Sequence, residues 1–196
     1  WDNTARIWES ESGKLIHTLA GHTKGVNSAI FNPNGSLIVT ASWDNTARIW
    51  ESESGKHIHT LKGHEDNVRS AVFSPDGERI VTASWDETAR IWDAKSKEII
   101  HILKGHTSQV ESAIFSPDCT RILTVSGGVN YPKTDRTARL WESNSGKLIH
   151  TLKGHKNRFQ TAVFSPDGSR IVTASWNKTA SIWESASGKL LHTLEG

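Results

Sequence analysis

The sequence predicts an all-β protein made of repeated four-stranded units, and two observations carry that expectation. An eight-residue stretch, Trp-Asp-Asn-Thr-Ala-Arg-Ile-Trp, stands at 1–8 and again, unaltered, at 43–50. Variants return at 85–92, 135–141 and 176–183, so the closing indole falls at Trp8, Trp50, Trp92, Trp141 and Trp183, in steps of 42, 42, 49 and 42 residues. A fixed period near forty marks a repeat array. Within each period, four short β-rich runs alternate with turn-forming clusters, and no helical run interrupts them.

The elements of one period can be taken in order from His22 to Gly63. Val26 to Phe31 is the first strand, turned back by Pro33-Asn34-Gly35. Later copies read Pro75-Asp76-Gly77 and Pro166-Asp167-Gly168 there; Pro fixes φ and Gly takes the positive-φ position. Leu37 to Ser42, rich in β-branched residues, is the second strand. Asp44-Asn45 turns tightly into the third, Thr46 to Trp50, and Ser54-Gly55 leads to the fourth, His57 to Leu61. Applied along the chain, this frame gives a half-unit at 1–21 holding third and fourth strands, then units at 22–63, 64–105, 106–154 and 155–196. The third full unit breaks two local rules. Cys119 replaces the turn glycine, which implies a strained left-handed residue or another turn type. Seven extra residues, around Gly127-Gly128-Val129-Asn130-Tyr131-Pro132, lengthen the turn between its second and third strands.

Bulk composition excludes several classes. A length of 196 residues suffices for a sizeable core. The formal charge of +2, with both signs mixed in every repeat, gives no basic stripe for nucleic acid. No apolar run is long enough to span a membrane. Cys119 is the single cysteine, which excludes an internal disulfide and fits a reducing, cytoplasmic setting. Trp1 falls in mid-repeat, so the lack of a signal peptide carries no information about export.

Gly-His, some two dozen residues, then Trp-Asp before Thr-x-Arg-x-Trp: this order, recurring over the whole chain, resembles the WD-repeat β-propeller family. The resemblance implies four complete four-stranded blades plus an N-terminal half-blade, arranged around a channel with first strands innermost. It also implies a hydrogen-bonded His, Thr, Asp and Trp tetrad in each blade. By spacing these are His22, Thr40, Asp44 and Trp50; His64, Thr82, Asp86 and Trp92; and His106, Thr124, Asp135 and Trp141. The last blade departs from the pattern with His155, Thr173, Asn177 and Trp183, since Asn loses the charge-assisted bond. Asp2 and Trp8 have no upstream His or Thr to close with.

The tetrad recurs, whereas catalysis needs one site, so it reads as a device for satisfying buried polar groups. Neither a catalytic set nor a cofactor or metal site is expected: His57 with His59 is the one histidine pair at strand spacing, without a Cys or carboxylate framework. Ser-Gly-Lys at 54–56 and 145–147 lacks the rest of a phosphate-binding loop. The family's usual binding surface is the top face, which carries the His-bearing loops and the turns before the third strands. Trp43, Trp85 and Trp176 fall there, as do Asn67, Arg69, Gln109, Glu111, Arg158 and Gln160, three and five residues after each His. Tyr131, in the inserted loop, joins them. These rim positions differ between copies while the frame does not: 22–63 and 64–105 share 25 of 42 residues.

The expected function is therefore a non-catalytic protein- or peptide-binding module, used as scaffold or sensor. The near-identity of the copies is similar to repetitive propellers in bacterial multidomain signalling proteins. Two alternatives stay open: a ligand-binding or enzymatic propeller using the channel, where Glu111 is the one acid on the innermost strands, and a purely structural assembly repeat. With four and a half blades, either a homo-oligomer or a segment of a longer propeller is expected.

Overall fold

The computed structural model describes residues 2–127, 135–155 and 157–195. A two-stranded ribbon comes first, β1 (Thr4–Trp8) and β2 (Leu15–Ala20). Four antiparallel meanders follow. The first holds β3 (Val26–Phe31), β4 (Leu37–Ser42), β5 (Ala47–Glu51) and β6 (His57–Leu61). The second holds β7 (Val68–Phe73), β8 (Arg79–Ser84), β9 (Ala89–Asp93) and β10 (Ile99–Leu103). The third holds β11 (Val110–Phe115), β12 (Arg121–Ser126), β13 (Ala138–Glu142) and β14 (Leu148–Leu152). The fourth holds β15 (Phe159–Phe164), β16 (Arg170–Ser175), β17 (Thr179–Glu184) and β18 (Leu190–Glu195). Strands pair in chain order within every sheet. The third strand of the first full sheet begins at Ala47 rather than Thr46, whose Oγ1 donates to Asp44 Oδ1 at 2.6 Å in the preceding turn.

The first strands β3, β7, β11 and β15 stand side by side, which makes them the inner wall of the array. The core lies between sheets, and each seam joins the far face of one sheet to the near face of the next. Val39, Ala41, Ala47, Ile49 and Leu61 meet Val68, Ala71, Phe73, Ile80 and Trp92. The next two seams repeat this with the equivalent residues, Val81, Ile91 and Leu103 against Val110, Phe115 and Trp141, then Leu123, Leu140 and Leu152 against Phe159, Ile171 and Trp183. A single sheet cannot bury either face alone, so stability resides in these nearest-neighbour contacts. Between the ribbon and the first full sheet the seam is partial, with Leu19 against Ile38 and Trp50, and beyond the last sheet it stops. Phe31 is 52% exposed where Phe73 is 9%, and Leu194 is 52% exposed where Leu152 is fully buried. Trp8, which has no preceding sheet to pack on, is 54% exposed where Trp50 is buried.

Turn chemistry follows the residue types. Gly35, Gly77 and Gly168 all sit near φ 70–76°, and Cys119 occupies the same place at φ 60°. Cys119 N also donates to Ser116 O at 2.9 Å, as Gly77 N does to Ser74 O at 2.8 Å. Of the two options open for Cys119, the structure takes the strained left-handed residue in an unchanged turn.

A second exception concerns Lys97, at φ 68° where the other sheets carry Gly13, Gly55, Gly146 and Gly188. A β-carbon on Gly146 would come within 3.0 Å of the His101 side chain, so glycine there lets that ring reach Asn144 O at 2.7 Å. His17 and His150 make the same bond to the following sheet, at 2.6 and 2.9 Å. Lys97 fills that space, and His59 instead lines a recess of about 490 Å³ with Trp92 and Lys97.

Candidate partner-binding face

The tetrad residues come together in each of the first three full sheets. In the second, Trp92 Nε1 donates to Thr82 Oγ1 at 2.9 Å, that oxygen lies 2.7 Å from His64 Nε2, and His64 Nδ1 lies 2.7 Å from Asp86 Oδ2. The first and third match within a tenth of an ångström: Trp50–Thr40–His22–Asp44 at 2.9, 2.7 and 2.8 Å, and Trp141–Thr124–His106–Asp135 at 2.8, 2.7 and 2.7 Å. One arrangement of protons satisfies every atom: the indole N–H donates to threonine, the threonine hydroxyl to Nε2, and a neutral imidazole donates from Nδ1 to the carboxylate.

Electrostatics agree with that assignment. Burial lowers His64 below the ordinary histidine value, and its hydrogen bond to Asp86 offsets this in part. Burial would raise the Asp86 carboxyl, but bonds from His64, Thr88 and the Glu65 amide outweigh it and hold the group well below the usual range. Asp135 is brought down to about 2 against the same burial, by His106 and Thr137. These aspartates tie the His-bearing loop to the turn before the third strand, and so fix the height of the face above.

The fourth sheet is rewired. His155 Nδ1 meets Thr179 Oγ1 at 2.9 Å, and Thr179 Oγ1 reaches Asn177 Oδ1 at 3.0 Å, so a hydroxyl stands between imidazole and amide. His155 Nε2, Thr173 and Trp183 keep their bonds at 2.8 and 2.9 Å. A second change accompanies it. Arg90 and Arg139 lie 3.7 and 3.8 Å from Asp86 and Asp135, whereas the equivalent of these arginines in β17 is the buried Ser181. The acid and its cation are lost together, which leaves no unpaired charge behind. Sequence reasoning found the Asn177 half of this exchange and passed over Ser181, although Thr-x-Ser-x-Trp is visible in the last copy.

Above the tetrads, a β-bulge near the start of each first strand re-aims one side chain. The registers skip Asn27, Arg69, Glu111 and Gln160, which are the residues five beyond each histidine. Three of them join across neighbouring sheets: Arg69 Nη1 donates to Asn27 Oδ1 at 3.1 Å and Arg69 Nε to Glu111 Oε2 at 3.0 Å. Asn27 Nδ2 also donates to Val68 O at 2.7 Å. The residues three beyond each histidine act through their backbone. Trp43 N, Trp85 N and Trp176 N donate to the carbonyls of Gly25, Asn67 and Arg158 at 2.9, 3.0 and 3.2 Å.

The three indoles expected on the top face are unevenly exposed. Trp43 and Trp85 are half-buried, whereas Trp176, on the last sheet, is 56% exposed. In the third sheet the position belongs to Gly127, whose amide keeps the same bond, to Gln109 O at 3.4 Å. A cleft of about 300 Å³ opens over Gly127, walled by Trp85 and Trp176 and bordered by Arg69, Glu111, Arg158 and Gln160. Six of the ten rim residues singled out from sequence therefore meet at one place. Trp43, Asn67 and Gln109 lie outside its lining, and Tyr131 falls outside the described residues. His57 and His59 are exposed, and His57 is taken up by Thr60 Oγ1 at 3.0 Å and by the edge of Trp50. Among the described residues no group of three or more His, Cys, Asp or Glu side chains is placed to hold a metal. No helix among them is long and apolar enough to cross a membrane.

Four-stranded meanders set side by side by their first strands, each carrying the His-Thr-Asp-Trp or related network, define a β-propeller repeat array. Residues 13–51, 55–93, 97–142 and 146–184 each match the family described as WD domain, G-beta repeat, and the chain belongs to that family. Among curated relatives, it is 46% identical over 41 residues to an uncharacterized WD repeat-containing protein of Synechocystis sp.. It is 56% identical over 32 residues to GID complex subunit 7 of Schizosaccharomyces pombe, and 44% identical over 41 residues to nuclear distribution protein nudF 2 of Talaromyces marneffei. These matches cover 21%, 16% and 21% of this chain and 12%, 6% and 9% of the relatives' own lengths. Proteins of the family generally mediate protein–protein interaction or scaffolding.

Proposed function

We propose that the chain is a non-catalytic module that holds a protein or peptide partner on the face carrying the His-bearing loops. The observation that carries this reading is the cleft over Gly127. Identical neighbouring sheets would fill that place with an indole, and here its absence leaves two aromatic walls and a polar rim, a composition suited to an interaction hot spot. Two of the relatives bear names of complex subunits or of a distribution protein, which accords with partner binding rather than turnover. Selection of random displayed peptides on the folded chain tests the reading. Selected peptides should lose at least tenfold in affinity against Trp85→Ala, roughly the effect of a hot-spot truncation. Peptides that bind the wild type and Trp85→Ala equally, with both proteins folded, would place the partner elsewhere.

A second reading concerns assembly. Val172 and Leu194 are exposed on the far face of the last sheet, while their equivalents Val39, Val81, Leu61 and Leu103 are sealed by a following sheet. The surface that seals them is always a near face of the same kind, so we propose that another WD sheet covers this one. In the isolated 196-residue chain only a second copy can supply it. Sedimentation should show self-association, and a monodisperse monomer at tens of micromolar would sink the idea.

A further inference from the structure

We infer that the cleft over Gly127 selects a peptide segment bearing a carboxylate side chain, which Arg158 receives; the inference rests on the peptide-binding reading above. Two arginines stand at this cleft, and their surroundings differ. Arg69 is already committed, to Glu111 through Nε at 3.0 Å and to Asn27 through Nη1 at 3.1 Å, and its guanidinium lies 5.5 Å from the centre of the Trp85 ring. Arg158 is half-buried, and its guanidinium is stacked at 4.0 Å over the Trp176 ring. Among the described residues Arg158 has no carboxylate partner. The cleft therefore carries two positive charges against the single negative charge of Glu111.

Geometry determines which of the two cations can act. An arginine stacked on an indole keeps its edge free for hydrogen bonds while its face is covered, so its planar fork is pre-organised for bidentate contact with a carboxylate. Gly127 sets the access. A β-carbon there would fall 2.6 Å from Phe159 O and 3.3 Å from the Arg158 side chain, so on this backbone a side chain at 127 would press on the strand end that carries Arg158. The Trp85 indole nitrogen, Nε1, is buried without a hydrogen-bond partner, so this wall offers ring surface and no further donor. An extended segment can thus lay an apolar side chain along the indoles and point an acidic one at Arg158. Glu111, across the cleft, works against a dianionic group and so favours a singly charged carboxylate over a phosphate.

The test uses pools of labelled heptapeptides with Glu, Gln, Lys or phosphoserine fixed at the centre and the other positions randomised, titrated against the folded chain by fluorescence anisotropy. The Glu pool should bind about tenfold more tightly than the Gln pool, the scale of one charge-assisted contact. Arg158→Gln should abolish that preference, and Trp176→Ala should weaken both pools. Equal binding of the Glu and Gln pools, still weakened by Trp176→Ala, would overturn the carboxylate and leave the peptide-binding reading standing. So would a preference for Lys or phosphoserine. Failure of every pool to bind the folded wild type would overturn both.

Discussion

Arg90 lies across Gly63 so closely that its Nη1 stands where a β-carbon on that glycine would have to be. Gly21 and Gly105 stand in the same relation to Arg48 and Arg139. The glycine of the first three Gly-His pairs thus faces the arginine of the third strand and also holds a positive φ, 149° at Gly63. Gly63→Ala should cost about 1–3 kcal/mol, chiefly from backbone strain, with displacement of the Arg90 guanidinium added to it. In the fourth sheet Ser181 replaces the arginine, and a β-carbon on Gly154 would meet only the Trp183 ring, at 3.1 Å. Gly154→Ala should therefore be the milder change. Denaturant melts of the two variants decide it, and equal losses would count against the account.

The tetrads should be worth different amounts in different sheets. His64→Ala takes one donor from the buried Asp86 carboxylate and the acceptor from the buried Thr82 hydroxyl, at about 1–3 kcal/mol. His155→Ala strands two hydroxyls and no charge, and should cost less. Trp92→Phe and Trp183→Phe remove the same bond at 2.9 Å and should cost the same as each other.

Acid should destabilise the array in two stages. Burial lowers His22, His64 and His106 below the ordinary value near 6.5. The unfolded chain then binds protons before the folded one does, so stability is full above about pH 6.5 and declines as pH falls below it. The tetrad aspartates, also lowered, add a second loss below their ordinary value near 4. A denaturant midpoint unchanged between pH 7.5 and 5.5 would remove the histidines from this argument.

On the face opposite the cleft, arginines at the start of second strands fasten one sheet to the next. Arg79 donates to Ser143 Oγ and Asn144 Oδ1 at 3.0 Å each and to Cys119 O at 2.9 Å. Arg121 does the same to Ser185 Oγ at 2.7 Å. Arg79→Ala should cost about 1–3 kcal/mol, whereas Arg170→Ala, at the exposed equivalent, should stay within about 0.5 kcal/mol. A thermal or denaturant comparison of the two checks the difference.

The strands and the tetrads were legible because a repeat states the same local rule several times over, and one ambiguous turn is corrected by its copies. What escaped was relational. Nothing in a single period says that Arg79 reaches forward 64 residues to Ser143, or that Lys97 turns His59 out of a contact its counterparts make. By sequence Gly127 falls in with the inserted residues that lengthen the turn. Its position in the frame, directly after Ser126 where other copies place tryptophan, was in plain view. The cleft was missed because it is made by a side chain that is not there, bounded by residues of three different sheets.

The seams between sheets have a consequence for the order in which the sheets assemble. Val39, Ala41, Ala47, Ile49 and Leu61 recur in residue type as Val81, Ala83, Ala89, Ile91 and Leu103. The opposing set of Val68, Ala71, Phe73, Ile80 and Trp92 recurs as Val110, Ala113, Phe115, Ile122 and Trp141. Excising residues 64–105 would bring matching surfaces together, and duplicating them would do the same. At these two seams side-chain fit therefore cannot distinguish the right neighbour from a wrong one, whereas the third, with Leu140 and Phe159, departs from them. Correct order is imposed by the tether, the few residues of loop that make the adjacent sheet the first to arrive. A gene encoding such a chain can lengthen or shorten by whole sheets without learning a new interface, and a crowded folding chain has the same freedom to err.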